Sequence, residues 1–356
     1  MTYKSFVIST VSLVVGIVGA LSAFIYYIDP LWLFGTSHEY NDVQVAFNER
    51  QQKMNHIYYQ PFEYDSLLLG GSWSTYINQH DFEGMDVYNF AVSNISVREY
   101  NAFIEFAKEK RGKEFDRIII GLDFFKTSVD QSNVPANLSG YSTKFNDPFN
   151  RVKSMLSWDS LDYAIDNFKL SAADANIHLR SYNRENVAVS RVENTETIAK
   201  QTEEKIERFK EVFYGETYDY NEAYPEYLKE LKENNPNTEF IIFTTPISTP
   251  LFQALVEMER LPDYEQWLND IVSVFGSVNN FMYPNSVTND ISNYFDGHHF
   301  YPEVGTLIAK RLSDSPDEKY ADFGKVMNDR NINTELAAIE KTTVRLWASE
   351  SDKPTQ

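Results

Sequence analysis

Short apolar runs recur between residues 63 and 315, and amphipathic segments separate them. The runs are residues 66–69, 86–92, 115–125, 238–245 and 280–283, and the amphipathic segments include 97–110, 221–233 and 262–275. Strands that alternate with helices predict a parallel, doubly wound sheet covered by helices. This alternation constrains the chain to the α/β class more than any other feature of its sequence.

The first apolar run ends in two glycines and a serine. Gly70 and Gly71 allow a sharp turn and the close approach of a ligand, and Ser72 follows at the carboxyl end of the strand. Ligands bind beyond these strand ends in open α/β sheets. Residues 73–75 are then predicted to open a helix whose amides point at the same place. By itself, however, the pattern is also that of an ordinary strand-to-helix turn.

A second polar motif stands near the other end of the domain. Asp296 precedes His299 by three residues, and Pro302 begins a predicted helix. An aspartate can hold a histidine in one tautomer, and that histidine can activate Ser72 as a nucleophile. The adjacent His298 is predicted to be a packing or substrate-contact residue.

A metal site is the competing interpretation of these side chains. Asp296, His298, His299 and Asp123 are ligand types, but no third spaced ligand pair supports a site. The sequence therefore predicts no metal and no cofactor.

Several blocks together resemble one protein superfamily. They are Asp29-Pro30, Asn48-Glu49-Arg50 with Lys53, LLLGGS, VYNFAVSN, IIIGLDFF, FTTPIS and DGHHFYPEVG. Over about residues 1–313 the chain resembles the SGNH (GDSL-like) hydrolases. It is most similar to the membrane-anchored members that modify extracytoplasmic polysaccharides alongside membrane-bound O-acyltransferases.

The resemblance implies both a fold and an activity. The fold would be a three-layer α/β/α sandwich with a flavodoxin-like sheet and a large insertion, residues 126–236, after the third strand. Ser72, His299 and Asp296 would be nucleophile, base and orienting acid. The expected function is that of an O-acetyltransferase or O-acetylesterase acting on a cell-surface or exported polysaccharide, with a membrane-bound O-acyltransferase as a possible partner.

The oxyanion hole departs from the superfamily pattern. Its usual donors are a glycine amide after the second strand and an asparagine side chain after the third, where this chain has Asn94 and Asp123. The amides of Ser72 and Asn94 can still donate. An ionised Asp123 only accepts hydrogen bonds and would repel an oxyanion, whereas a protonated one could donate. We favour a structural role for Asp123, tying down the loop after Gly121.

The N-terminal segment predicts a membrane anchor. Residues 6–28 contain no charged side chain and form a stretch long enough to cross ~30 Å of hydrocarbon. Lys4 precedes them and Asp29 follows, so the main part of the protein is predicted to face the periplasm or the cell exterior as a single-pass protein of the cytoplasmic membrane. The alternatives are a signal peptide cleaved near Ala20-Leu21-Ser22 and a buried core helix.

The predicted domain organisation has four parts. Residues 1–30 form the anchor, 31–62 a polar connector, 63–315 the α/β domain and 316–356 a solvated or partner-contacting tail. Asn48, Arg50 and Lys53 of the connector are expected on a solvated helix face. The insertion is predicted to shape the substrate site. Its aromatic residues could stack on sugar rings, although most are expected in the core: Tyr141, Phe145, Phe149, Trp158 and Tyr163.

Composition excludes some functions, and one function of another class stays open. The formal charge of −20 argues against nucleic acid as a partner, and the absence of cysteine excludes disulfides. The alternative is a catalytically inactive scaffold that binds glycan or docks a membrane-bound O-acyltransferase, with Asp123 marking a lost oxyanion hole. A lipase would need an apolar groove, and the polar insertion argues against it.

Overall fold

The structure is a computed structural model that describes residues 2–45, 48–132, 143–173 and 178–351, with side chains through residue 343. Contacts group these residues into two compact units. Unit 1 comprises Met1–Phe62 and Ser139–Arg191, and unit 2 comprises Glu63–Leu138 and Val192–Gln356. Described residues of the predicted insertion therefore contribute to both units.

Strands and helices alternate along much of the described chain. The strands are β1 (Gln44–Val45), β2 (Ser66–Gly70), β3 (Val87–Asn89), β4 (Arg117–Leu122), β5 (Ser181–Tyr182), β6 (Ala188–Val189), β7 (Glu239–Thr244), β8 (Ser277–Asn280) and β9 (Lys325–Asn328). The first α-helices are α1 (Tyr3–Ile28), α2 (Glu49–Tyr59), α3 (Tyr100–Arg111), α4 (Val129–Ser132), α5 (Asn150–Met155) and α6 (Trp158–Ala172). They are followed by α7 (Thr195–Arg208), α8 (Tyr224–Glu233), α9 (Thr249–Glu257), α10 (Leu261–Phe275), α11 (Pro302–Leu312) and α12 (Ile332–Ser351).

Unit 2 is built on one sheet with the order β3-β2-β4-β7-β8-β9. The neighbouring pairs from β3 to β8 are parallel, and β9 pairs antiparallel with β8. Counted along the chain within this sheet, the first five strands run 2-1-3-4-5, which is the flavodoxin-like order. The prediction of a three-layer α/β/α fold with a mostly parallel sheet is confirmed.

The burial of the central strands on both faces explains why their sequences are continuously apolar. Leu67 to Leu69 of β2 and Ile118 to Ile120 of β4 have no exposed surface, because helices cover both faces of the parallel sheet. At the other end of the sheet, β8 lies three residues earlier than the predicted run 280–283. Phe281 and Tyr283 are buried after the strand has ended, so their apolar character reflects packing rather than strand pairing.

The turn after Ser72 is shorter than predicted. Ser74–Tyr76 forms a single turn of 3-10 helix, not the start of an α-helix. The Asn89 side chain donates from Nδ2 to the carbonyls of Ser74 and Ile77, at 2.9 and 2.8 Å. These bonds satisfy carbonyl oxygens at the end of the turn and tie it to β3.

The segment after residue 315 is not a solvated appendage. It contributes β9 to the edge of the sheet, and Phe323 packs against Phe281 with ring centroids 4.7 Å apart. Helix α12 buries Ile332, Leu336 and Ile339. The strand is only four residues long, and its burial depends on β8, so the local sequence carried no clear period.

Unit 1 contains helix α1, the three-stranded antiparallel sheet β1-β5-β6 and α2. Among the described residues, α1 is the one helix that is long and apolar enough to cross a membrane, with a mean hydropathy of 2.2. Only 6% of its apolar window is buried, which does not fit a core helix. Asp29 ends α1 with φ 48°, and its carboxylate accepts hydrogen bonds from the backbone amides of Leu33, Phe34 and Gly35.

Helix α2 corrects the prediction for Lys53. Asn48 caps the helix by accepting from the Gln51 amide at 3.1 Å, but Lys53 is fully buried instead of solvated. Its neighbour Glu49 is also buried and accepts from the Tyr182 hydroxyl at 2.6 Å. Burial lowers the pKa of Lys53 to about 7, although Glu49 opposes the shift. Residues far apart in sequence form this cluster, so the polar composition of 31–62 did not indicate it.

The aromatic residues singled out in the insertion differ in burial. Phe145 is buried, as a core residue would be, and Tyr163 is half-buried. Phe149 and Trp158 are exposed instead. Tyr141 lies outside the described residues. The expectation that most of these rings belong to a core therefore fails for Phe149 and Trp158, because no described segment packs over them.

Candidate active site

The site lies at the edge of the unit 2 sheet where its parallel strands have their carboxyl ends. Ser72 follows β2, Asn94 follows β3 and Asp123 follows β4. Asp296 and His299 stand in the loop between β8 and α11. Parallel strands end at one edge, so the fold brings residues that are 227 positions apart into contact.

Three of the predicted residues form one hydrogen-bonded series. Ser72 Oγ lies 2.9 Å from His299 Nε2, and His299 Nδ1 lies 2.9 Å from Asp296 Oδ2. The rings of Trp73 and Phe295 both stack on the imidazole, at centroid distances of 5.2 and 5.3 Å. The histidine is therefore fixed in the orientation that nucleophile activation by a base requires.

Asp296 is held in its ionised form. Its Oδ1 accepts from the backbone amides of His298 and His299, at 3.0 and 2.6 Å, and Lys205 Nζ lies 2.8 Å from Oδ2. Burial by itself raises the pKa of Asp296. The charge of His299 and its hydrogen bond, followed by the effects of His298 and Lys205, act in the opposite direction and hold the pKa well below its usual range. A carboxylate in this state can stabilise an imidazolium.

Lys205 has no signal in the sequence that marks it as a site residue. It lies on α7, which a π-helical turn, Phe209–Phe213, follows directly. No spacing links Lys205 to Asp296, because the contact depends on how α7 packs. Only the tertiary structure identifies it.

His298 does not join the hydrogen-bonded series. Its ring is buried among Trp73, Phe125 and Phe209, at centroid distances of 4.1, 5.9 and 4.4 Å. Burial and the neighbouring charge of His299 hold its pKa well below the usual range, so the ring is neutral. Neither ring nitrogen has a hydrogen-bond partner among the described residues. His298 thus packs among aromatic rings, as expected, and it also lines the cavity with a polar ring.

Asn94 has a backbone conformation that few residues adopt readily. Its φ is 55°, in the left-handed region that asparagine tolerates better than most residues. Its side-chain Oδ1 accepts a hydrogen bond from Lys126 Nζ. The residue lines the same cavity as Ser72.

Asp123 lies beside the turn that carries Ser72. A Cβ on Gly71 would approach Asp123 Oδ2 to 2.5 Å, which accounts for the glycine. The other oxygen, Oδ1, accepts from Thr245 Oγ1 at 2.5 Å, a bond that ties the ends of β4 and β7 together. Burial raises the pKa of Asp123 to about 7, against the opposing effects of Thr245 and Lys126. The carboxyl is therefore partly protonated at neutral pH.

A cavity of about 190 Å³ connects these residues. This is smaller than the roughly 300–1,000 Å³ of pockets that hold drug-sized ligands, so a small group fits best. The lining residues are Gly71, Ser72, Trp73, Asn94, Asp123, Phe125, Lys126, Gln131, Lys205, Arg208, Phe209, Phe213, His298 and His299. Aromatic rings and cations dominate this wall despite the strongly acidic composition of the chain.

Ligand atoms of Asp296, His298 and His299 lie within 4.8 Å of one another, as a metal site would require. In the structure, however, both ring nitrogens of His299 are engaged, one with Ser72 and one with Asp296. A metal ion would have to replace those hydrogen bonds. The geometry of the three residues therefore fits the proton-transfer arrangement better than a metal centre.

No protein-family model matches the chain. No curated protein matches it either. Three solved chains match, among them a candidate platelet activating factor from Streptococcus pneumonia at 9% identity and a TM-score of 0.34, covering 75% of this chain and 90% of that one. A similarity of this degree supports no conclusion about activity.

Proposed function

We propose that the protein is a serine-dependent acyl-ester enzyme, an O-acetyltransferase or O-acetylesterase. The observation that supports the proposal is the pair of 2.9 Å hydrogen bonds joining Ser72 to His299 and His299 to Asp296 at the wall of a small cavity. A serine hydroxyl is nearly inert at neutral pH unless a base is within reach. This arrangement supplies the base and its orienting acid together.

The proposed reaction has two halves. His299 Nε2 takes the Ser72 proton as Oγ attacks the acyl carbonyl, and it then gives that proton to the departing alcohol. Asp296 remains ionised and holds the imidazole through Nδ1. In the second half, His299 activates a glycan hydroxyl or water, which takes the acyl group and regenerates Ser72.

The negative charge on the tetrahedral intermediate needs donors. In this proposal the backbone amides of Ser72 and Asn94 donate to it, and Asp123 adds a third hydrogen bond when it is protonated. The raised pKa of Asp123, about 7, and its position against Gly71 support the third donor. One such donor contributes ~10²–10³ in rate. The hydrogen bond from Thr245 holds the Asp123 carboxyl in place, so a structural role and the proposed catalytic role of Asp123 are compatible.

The substrate and the location complete the proposal. A cavity of about 190 Å³ favours an acetyl-sized acyl group over a long chain. Helix α1 is proposed as a single-pass anchor that leaves the enzyme domain on the periplasmic or outer side of the cytoplasmic membrane. An extracytoplasmic polysaccharide as acceptor, and a membrane-bound O-acyltransferase as partner, rest on the motif resemblance.

The test uses the full-length protein in detergent with a fluorophosphonate probe and a chromogenic acetyl ester. We expect the wild type to be labelled and to turn over the ester, and Ser72→Ala to lose both. Ser74→Ala is the matched control, because that buried hydroxyl lies two residues away and has no hydrogen-bond partner among the described residues. It should keep both activities.

The opposite result would favour the scaffold alternative. If the folded wild type is not labelled, and if Ser72→Ala and His299→Ala leave glycan acylation normal in cells, the chain acts by binding glycan or a membrane acyltransferase instead of by catalysis.

A further inference from the structure

Helix α5 of unit 1 carries an apolar face that is open to solvent. Phe149, just before the helix, is 65% exposed, Val152 is 48% exposed and Leu156, just after it, is 51% exposed. The spacings of three and four residues put them on one side of the helix. Three such side chains on one face are more than the scattered exposure that is normal for a soluble surface.

Helix α6 extends this face. It begins at Trp158, which at 79% is the most exposed tryptophan among residues with described side chains. Leu161, Ile165 and Phe168 continue from Trp158 along one side at helical spacing. An exposed acidic stripe lies beside them, formed by Asp159, Asp162 and Asp166. One side of α6 is therefore apolar and the adjacent side is charged, so the helix is amphipathic.

The apolar face is continuous with helix α1. A groove of about 250 Å³ is lined on one side by Val18, Leu21, Ser22 and Ile25 of α1, and on the other by Leu156, Ser157, Trp158 and Leu161. Near the C-terminal end of α1, the rings of Phe24 and Phe168 meet at a centroid distance of 5.9 Å. Both helices belong to unit 1, so the contact is internal to that unit.

The depth of this groove follows from the length of α1. Residues 6–28 carry no charge and cover about 34 Å, while the hydrocarbon core takes up about 20 residues. Wherever the core lies within that segment, it includes residues 9–25. Val18 to Ile25 are thus inside the core, in the half nearer the C-terminal end of α1. Leu156 and Trp158 line the groove opposite these residues and are exposed, so lipid covering this side of α1 would also reach them.

We propose that four residues, Phe149, Val152, Leu156 and Trp158, insert as an α5–α6 corner into the boundary of the bilayer that α1 crosses. The occupant of this apolar surface is lipid, because the surface is continuous with the lipid-facing side of α1. A tryptophan at the edge of the hydrocarbon fits the interfacial preference of its amphipathic ring. Two contact points would limit rotation of unit 1 about α1. The inference rests on α1 as a membrane span and does not depend on the ester chemistry.

The test exploits the absence of cysteine from the chain, which makes every introduced cysteine unique. The full-length variants Leu156→Cys and Trp158→Cys are spin-labelled and reconstituted in phosphatidylcholine–phosphatidylglycerol vesicles. Accessibility of the label to oxygen, which partitions into lipid, is compared with accessibility to a water-soluble nickel chelate. Asp166→Cys on the acidic stripe is the matched control, and Leu13→Cys in α1 is the hydrocarbon reference.

We expect the labels at positions 156 and 158 to be at least about threefold more accessible to oxygen than to nickel, like the reference label at position 13. The label at position 166 should instead be more accessible to nickel. Labels at 156 and 158 that behave like the one at 166, with 13 in lipid, would overturn the inference and leave the anchor intact. That result would favour a protein or glycan partner on this surface. A label at 13 that is accessible to nickel would overturn both the anchor and the inference, whereas the fluorophosphonate result would be unaffected.

Discussion

At the scale of single residues, Asp123 distinguishes the proposed site from a conventional oxyanion hole. An ionised carboxylate beside the nucleophile would oppose the developing negative charge, whereas a carboxylic acid would stabilise it. Burial raises the pKa of Asp123 to about 7, and Thr245 and Lys126 only partly counter it. In the proposed reaction, the protonation state of Asp123 therefore links the activity to pH.

The activity should decline on the alkaline side as Asp123 ionises. We expect kcat/KM for an acetyl ester to fall above pH 7, by up to about tenfold per pH unit, because the third donor becomes a repelling charge. Asp123→Asn keeps a neutral donor at the same position, so its decline should be absent and its rate should exceed that of the wild type at pH 8.5. The measurement is the pH–rate profile from pH 5 to 9.

A charge-matched control is Asp86→Asn, since Asp86 is exposed and lies outside the cavity. It should reproduce the wild-type profile. If the rate falls equally above pH 7 in wild type and Asp123→Asn, Asp123 has a structural role only.

The pH dependence of stability tests the raised pKa of Asp123 independently. Because the folded-state pKa is raised, the free energy of unfolding should decrease as the pH rises from about 4 to 7, and Asp123→Asn should remove that decrease.

At the scale of elements, α11 holds the loop of Asp296 and His299 against the turn that carries Ser72. The contact is a close approach of backbones. A Cβ on Gly305 would lie 2.6 Å from the Tyr76 carbonyl oxygen and 3.0 Å from the Ile77 Cα, neither of which can move as a side chain can. The distance between His299 and Ser72 therefore depends on Gly305, which does not line the cavity.

Gly305→Ala should push α11 away from this turn. We expect a loss of about 1–3 kcal/mol in the free energy of unfolding, the usual cost of overpacking. The fall in kcat should exceed what the folded fraction explains, because His299 moves away from Ser72. Denaturant titration and steady-state kinetics on the same samples measure the two effects. Lys310→Ala on the same helix should change neither, and unchanged kcat in Gly305→Ala would show that α11 does not set this distance.

At the scale of the whole molecule, the chain combines a strongly acidic sequence with one long uncharged helix. Helix α1 has exposed apolar side chains along most of its length, which water does not favour. A bilayer would cover them. Cleavage near Ala20-Leu21-Ser22 would instead remove much of this surface and release the remainder from the membrane.

The intact chain is therefore expected in the membrane fraction. We expect it to resist extraction by high salt and alkaline carbonate, to dissolve in detergent, and to have the full mass of 41.3 kDa by mass spectrometry. Leu21→Arg provides a comparison, because a charge inside the span costs up to about 2.5–3.5 kcal/mol on the insertion scale, the value at the centre, and should weaken membrane retention. A shorter mature protein in the soluble fraction would contradict the anchor.

The sequence by itself determined that a parallel sheet forms and which residues meet at its edge. Ser72 follows a continuously apolar strand, and Asp296 and His299 stand just before a helix, so each motif can be recognised from its local sequence. Because parallel strands end at the same edge of the sheet, the fold then brings the two motifs together. The tertiary structure alone decided the rest. The salt bridge of Lys205 to Asp296, the burial of Lys53, the pairing of β9 and the exposure of the α5–α6 corner depend on contacts between distant segments. Local periodicity carries no information about such contacts, because burial and pKa are set by what packs against a residue rather than by its neighbours in sequence.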